Sequence, residues 1–440
     1  LAPFFNLLNC ARISAELIYS LGRVLFTPKH EKRPLQFSPA NIINLNPENI
    51  SMLIGVVGKP NVGKSTFFSA ATLVDVPIAA YPFTTIQPNK GVTYVRARCP
   101  HVELGLPNCN PRNSKCENGT RLIPIGMLDV AGLVPDAHLG RGLGNQFLGD
   151  LASADCLIQV VDASGKTDAE GKQTDYYYPG NEITFLENEV AWWIQGIIKR
   201  GWNKIRGGNM ENLSGILSGL KVSREQAEQA ASKCNLSVEG INWSDDDILA
   251  FAHEIRRVSK PIIVAANKMD MPGADENLKK MEDDYPDRII IPCSAEAELT
   301  LRKANEKGLI KYVPGDSSFQ ETGALNEKQK EALSFIRKNV LEKYGSTGVQ
   351  RTIDSAVFNL LRLIIVYPVE DEHKYCDHFG NILPDGYLLP EGSTALQLAE
   401  KIHTDLAKHF IHAVNARTKM RIGKTYVLQP NDIIKIVAGR

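Results

Sequence analysis

The chain has 440 residues, 43% hydrophobic and 23% charged, which supplies enough apolar side chain for two or three cores and excludes wholesale disorder. Lys and Arg total 50 and Asp and Glu total 50, so a formal net charge of zero excludes nucleic-acid binding by overall attraction and leaves only local basic patches for it. No apolar run is long enough to span a bilayer, and eight cysteines, scattered apart from one cluster, fit a reducing, cytoplasmic setting better than a disulfide framework.

In chain order, residues 1–50 read as an N-terminal extension outside the fold. The first methionine is Met52, directly ahead of an apolar strand, and the apolar, mildly basic stretch before it lacks the pattern of a signal peptide. Deleting everything before Ser51 is expected to leave nucleotide affinity intact. The strand Leu53 to Val57 then runs into Gly58-Lys59-Pro60-Asn61-Val62-Gly63-Lys64-Ser65, which fits G-x-x-x-x-G-K-[ST], with Thr66 opening an amphipathic stretch to Leu73. Gly58 and Gly63 let the backbone turn its N–H groups toward phosphates, Lys64 supplies a point charge, and the Ser65 hydroxyl can ligate magnesium. The chain is therefore expected to hold a nucleoside triphosphate.

The proline-bounded loop Tyr81 to Asn89 carries Thr85, a second magnesium ligand and sensor of the terminal phosphate. A loop-like insertion from Arg98 to Thr120 follows, rich in Pro, Asn and Gly, with Cys99, His101, Cys109 and Cys116. These soft ligands can close a tetrahedral zinc site, although the spacing matches no standard finger; free thiols are the alternative. The strand Met127-Leu128 ends in Asp129, placed to reach the magnesium shell, and Gly132 offers a backbone N–H to the γ-phosphate.

Beyond the strand Cys156 to Asp162, the stretch before the next strand is far longer than one crossover helix needs, so it is an insertion, at about 185–255. Ile183 to Ile205 has Trp192, Trp193, Ile197 and Trp202 at helical spacing, read as core of a helical hairpin. Val222 to Cys234 and Asp245 to Val258 are helix-like, with Ser223 and Ser244 as N-caps.

The strand Pro261 to Ala266 ends in Asn267-Lys268-Met269-Asp270, where the chemistry selects the base. A carboxylate at Asp270 can accept both N–H groups of the guanine edge, whereas adenine presents an acceptor there. Asn267 can bond the other side of the base, and the Lys268 stem can cover its face. Cys293-Ser294-Ala295-Glu296, after another strand, offers backbone N–H groups to the guanine oxygen. GTP and GDP are thus the expected ligands, with Lys64, Ser65, Thr85 and Asp129 holding the magnesium triphosphate. Leu325 to Leu341 reads as a helix and Gly345 to Gly348 as a linker. Residues 360–440 form a strand-rich module, with strands at Leu363 to Tyr367, Tyr426 to Leu428 and Ile433 to Val437 and a Thr394 to Phe410 helix, which suggests a β-grasp. Its basic segment, Lys408, His409, His412, Arg417, Lys419, Arg421 and Lys424, reads either as RNA-contacting or as a solvated charged surface.

The phosphate loop, the Tyr81 to Asn89 loop, and Asp129-Val130-Ala131-Gly132-Leu133-Val134-Pro135 with Gly140 to Asn145 behind it resemble the Obg-related GTPases, closest to the archaeal YchF-like branch. The resemblance runs from about Met52 to the C-terminus. It implies an α/β P-loop NTPase fold, a Ras-like G domain over 51–345 with an inserted helical or coiled-coil arm, and a C-terminal TGS domain. It also implies a translation-associated switch whose partner is the ribosome or its RNA; a monomer is the default. Many YchF proteins carry Glu where Asp270 stands and prefer ATP, so Asp270 argues for GTP. Ras-like enzymes place a water-orienting Gln where this chain has Leu133, so intrinsic hydrolysis is expected to be slow. Similar GTPases with an apolar residue there depend on a potassium ion or a partner, and Asn61 matches their potassium ligand. His138 is read as solvent-facing or structural before catalytic, and similar archaeal sequences have Cys where His101 stands. The competing expectations are an ATPase and a non-enzymatic RNA- or ribosome-binding module stabilised by nucleotide.

Overall fold

The computed structural model describes residues 52–72, 89–130 and 144–439. The N-terminal extension, the loop carrying Thr85, and the segment with Gly132, Leu133 and His138 lie outside them. A seven-stranded sheet forms the centre. In chain order its strands are β1 (Leu53–Val57), β2 (Lys90–Arg98), β3 (Lys115–Glu117), β4 (Thr120–Asp129), β5 (Cys156–Asp162), β6 (Ile262–Asn267) and β7 (Ile290–Pro292). Their spatial order is β2-β4-β1-β5-β6-β7, with β3 beside β4. The β4-β1-β5-β6-β7 run is parallel, and β2 and β3 pair with β4 antiparallel. Every residue of β5 and β6 is buried, as expected for strands covered on both faces. The polar ends Asp129, Asp162 and Asn267 accordingly cluster at one sheet edge, where open parallel sheets bind ligands.

The insertion is helical, with long helices at Asn181–Arg200 and Asp245–Ser259 and shorter ones between. Ser223 and Ser244 cap their helices through full capping boxes, and Asn209 does the same for Met210–Leu217. The inserted helices expected there are present, and the stretch read as core of a helical hairpin supplies buried residues. Leu186, Val190, Trp193, Phe251 and Ile255 share a continuous buried cluster with Leu128, Leu151 and Leu157 of the sheet side, so these helices are packed onto the nucleotide domain. The adjacent tryptophans also part company: Trp193 is 7% exposed and Trp192 36%, because neighbours on a helix are about 100° apart.

Further along, a two-residue pair β8 (Ile310–Lys311) and β9 (Gln320–Glu321) precedes a helix at Glu327–Ile336 whose last turn widens to π geometry over Arg337–Leu341. Gly345 to Gly348 is no free linker. Thr347 is fully buried, its hydroxyl donates to Glu298, and its carbonyl accepts from the Ser294 amide at 2.8 Å. Gly348, at φ 82°, lies so close to the Pro292 carbonyl that a Cβ has no room.

The C-terminal unit is a five-stranded sheet in the order β11-β10-β14-β12-β13, from β10 (Leu363–Val369), β11 (Tyr387–Pro390), β12 (Phe410–Asn415), β13 (Met420–Ile422) and β14 (Ile433–Ala438). The expected Thr394 to Phe410 helix is split. Helix Ala395–Ile402 ends at His403, which turns extended at φ −164° and caps a short helix Thr404–Lys408 by accepting from the Asp405 amide, and Phe410 opens β12. Tyr426 to Leu428 forms no strand but an isolated bridge, Val427 to Thr394. The basic segment is partly neutralised: Arg417 pairs with Glu103 at 3.0 Å and Lys408 with Asp405 at 3.3 Å, while Lys419 donates to the Glu372 carbonyl.

Candidate functional site

At Gly58 an added Cβ would lie 2.6 Å from the Val160 carbonyl of β5, and Gly63, at φ 92°, has Asn267 against it. Gly58 is therefore required by close approach, and Gly63 by close approach and by its left-handed turn conformation. Val62 is buried, and helix Lys64–Thr72, with Thr66 in its first turn, opens as Phe67 N–H donates to the Gly63 carbonyl at 2.8 Å. The N-terminal end of this helix points its partial positive charge at the loop. Parallel pairing of β1 with β4 sets Val56 opposite Asp129, which brings the Asp129 carboxylate to the loop. Lys64 forms an ion pair with it, and the Ser65 hydroxyl lies 3.4 Å from Asp129 Oδ2.

The side chains of Lys59, Pro60 and Asn61 do different things. Pro60 and Asn61 are exposed at the loop crest. Asn61, at φ 64°, donates through Nδ2 to the Gly171 carbonyl at 2.9 Å, leaving Oδ1 as an oxygen donor. Lys59 turns inward. It is 5% exposed, with Nζ 2.8 Å from Glu182, 2.8 Å from the Thr167 carbonyl and 4.3 Å from the Tyr177 ring centre. Its side chain is thus committed within the protein, so its expected place in the phosphate loop rests on its backbone. Burial pushes the Glu182 carboxyl up to about 7, with Lys59 opposing.

The Asn267 side chain is also committed within the protein. It is 2% exposed, Nδ2 donates to the Val62 carbonyl at 2.8 Å, and Oδ1 accepts from the Ala295 amide at 2.9 Å. The sequence reading gave it to the base; these two bonds also make it a clamp between three segments and use one of its two amide N–H donors. Lys268, at φ 65°, sends Nζ 2.7 Å to the buried Asp162 carboxylate, which stretches its stem along the site. Asp270 is half-buried, and Ser294 Oγ donates to its Oδ1 at 2.7 Å. Ser294 caps helix Ala295–Glu306, and Ala295 is buried at its start. Burial raises the Glu296 carboxyl; Lys303 opposes this and Asp270 adds to it.

Asp162, Thr167 and Glu182 were absent from the sequence reading. Asp162 accepts from Ser164, Thr167 and Lys268 in a buried knot below the loop. An acidic residue closing a strand that is apolar but for Gln159 was its signal; nothing local marks Glu182. Apart from this site, the structure draws Cys99, His101, Cys109 and Cys116 together, with their ligand atoms all within 4.8 Å of one another.

Family models match residues 53–188 as a 50S ribosome-binding GTPase, 265–371 as the G4 motif-containing domain of an Obg-like, YGR210-like GTPase, and 379–438 as a TGS domain. The chain is 49% identical over 393 residues to an uncharacterized GTP-binding protein of Methanocaldococcus jannaschii, covering 88% of this chain and 99% of that one. A crystal structure of a GTP-binding protein from Pyrococcus horikoshii superposes with a TM-score of 0.73 at 46% identity, over 88% of this chain and all of that one. The ribosome-binding ATPase YchF of Escherichia coli is 26% identical over 87% of this chain and 98% of its own length.

Proposed function

The chain belongs to the YchF-like, Obg-type GTP-binding proteins, a P-loop GTPase domain followed by a TGS domain, and from that premise we propose that it binds GTP, hydrolyses it slowly and acts as a switch on the ribosome. The observation that carries this reading is the Asn267 side chain, which ties the Val62 carbonyl of the phosphate cradle to the Ala295 amide beside the base-edge turn. Phosphates and base are thereby read by one rigid unit. Asp270, oriented by Ser294 through Oδ1, meets the two N–H groups of guanine; adenine in the same seat leaves the carboxylate facing an acceptor. The Lys268 stem covers the base, and in the 294–296 turn, where the Ser294 and Ala295 N–H groups are taken by Thr347 and Asn267, the Glu296 N–H is the one offered to the guanine oxygen.

The hard oxygens of Ser65 and Asp129, converging beside Lys64 at a helix N-terminus, fit a magnesium ion. When bound, that ion neutralises charge between the terminal phosphates. Lys64 and the loop amides hold the phosphoryl oxygens. Leu133 offers the attacking water neither a donor nor an acceptor, which makes the unaided rate low. Ribosome association is supported by the name of the bacterial relative and by the description of the matching GTPase family.

The same relative is named an ATPase, which favours ATP as the second reading. Titration calorimetry decides between them. Wild type is expected to bind GTP about 100-fold or more tighter than ATP, and Asp270→Glu to lose most of that preference. Equal affinities in the wild type overturn the assignment. Single-turnover hydrolysis with and without ribosomes tests the slow, partner-dependent rate.

A further inference from the structure

We propose that Cys99, His101, Cys109 and Cys116 hold one zinc ion that fixes the β2–β4 loop as the docking surface for the C-terminal domain. The loop leaves the sheet at Arg98 and returns at Thr120, its base closed by Cys99 N–H donating to the Gly119 carbonyl at 2.8 Å. Between those points it has only a short helix, Pro100–Glu103, and the short strand β3. A loop of that length without a core of its own needs a cross-link to keep one shape.

The ligand geometry fits a tetrahedral ion. Cys99 Sγ and Cys109 Sγ are 3.7 Å apart, as are Cys116 Sγ and His101 Nδ1. Zinc–sulfur bonds of about 2.3 Å in a tetrahedron give edges of about 3.8 Å. A disulfide needs sulfurs about 2.05 Å apart, so the pair is not in bonding contact. Three thiolates and one imidazole select zinc over magnesium or calcium.

Arg121 supplies an independent observation. It faces Cys116 across the β3–β4 ladder and is fully buried. Its guanidinium donates to Ser114 Oγ at 2.9 Å and to the Leu383 carbonyl at 2.8 Å, and no carboxylate among the described residues pairs with it. A buried cation without a counter-charge is strongly unfavourable. Zinc with three thiolates carries a net charge of −1, which is the missing counter-charge.

The consequence reaches the second domain. Asn110 and Arg112 amides donate to the Ile382 and Pro384 carbonyls at 2.9 and 2.6 Å, and Asn113 and Gly386 exchange two hydrogen bonds at 3.0 and 2.9 Å. Arg112 pairs with Asp385 at 2.9 Å, and Glu103 with Arg417 at 3.0 Å. All of these leave from the loop the ion would brace. Holding them in register is then a task of the metal, and its removal is expected to loosen the domain contact without touching the nucleotide edge of the sheet.

The test uses the full chain purified without chelators. Elemental analysis is expected to give one zinc per chain, and exchange for cobalt to give thiolate charge-transfer bands with tetrahedral d–d absorption. Cys109→Ser is expected to fall below about a tenth of an ion per chain, while His101→Cys retains zinc. On zinc removal, hydrogen exchange is expected to speed up at least roughly tenfold at residues 99–119 and 381–386 and to stay unchanged in β6. If Cys109→Ser fails to fold, chelation of the wild type and His101→Cys carry the test. Zinc-free wild type, zinc retained by Cys109→Ser, a Cys99–Cys109 disulfide in its place, or unchanged exchange at 381–386 on zinc removal each overturns the proposal.

Discussion

Asn61 stands at the crest of the phosphate loop with its amide nitrogen held by the Gly171 carbonyl and its oxygen left as a donor. With Leu133 unable to orient water, replacing sodium by potassium is expected to raise GTP turnover by about tenfold or more, and Asn61→Ala to abolish the difference. Equal steady-state rates in the two salts refute it. Glu182, buried against Lys59, has its carboxyl raised from 4.5 to about 7. Such a group binds its proton more tightly in the folded state. Its contribution to stability is therefore greatest below about pH 4.5 and is lost as pH rises through about 7. Urea denaturation across that window is expected to show Glu182→Gln gaining on the wild type as pH rises; a constant difference between the two rejects the role.

The helices of the insertion show how local and tertiary terms divide. Ser244 caps helix Asp245–Ser259 at the surface through a capping box with Asp247, and its loss to alanine is expected to destabilise by about 1 kcal/mol. Phe251, on the same helix, is fully buried, its ring centre 4.8 Å from that of Trp243, in the cluster shared with the sheet. Phe251→Ala is expected to cost about 3–5 kcal/mol, as lost transfer energy and a cavity. Thermal or urea unfolding separates the two values. Comparable losses at both positions mean that the helix is held by its cap and not by the sheet.

Across the whole molecule, the helical insertion packs on the central sheet, the β2–β4 loop bonds the 382–386 segment of the C-terminal unit, and the 345–348 strap bonds the 292–294 turn at the nucleotide edge. The switch proposed above requires that the nucleotide state be felt at a ribosome-facing surface. Co-sedimentation is expected to show the chain with ribosomes in its GTP form and to show several-fold less in its GDP form. The same binding in GTP, GDP and nucleotide-free forms removes the switch from the reading.

The nucleotide motifs were legible because each is a short run whose chemistry depends on the backbone and side chains within it: Gly58 to Ser65, Asp129 at a strand end, Asn267 to Asp270. The helices capped by Ser223 and Ser244 were legible for the same reason. Tertiary packing alone decided that Asn267 reaches the Val62 carbonyl and that Lys59 turns to Glu182, because those partners lie more than a hundred residues away in sequence. It also decided that Gly345 to Gly348 is a strap, since the Pro292 carbonyl fills the space at Gly348 and the Ser294 amide takes the Thr347 carbonyl. Local residue order fixes turns, caps and ligand types; which distant group occupies the remaining space is settled only when the sheet and helices pack.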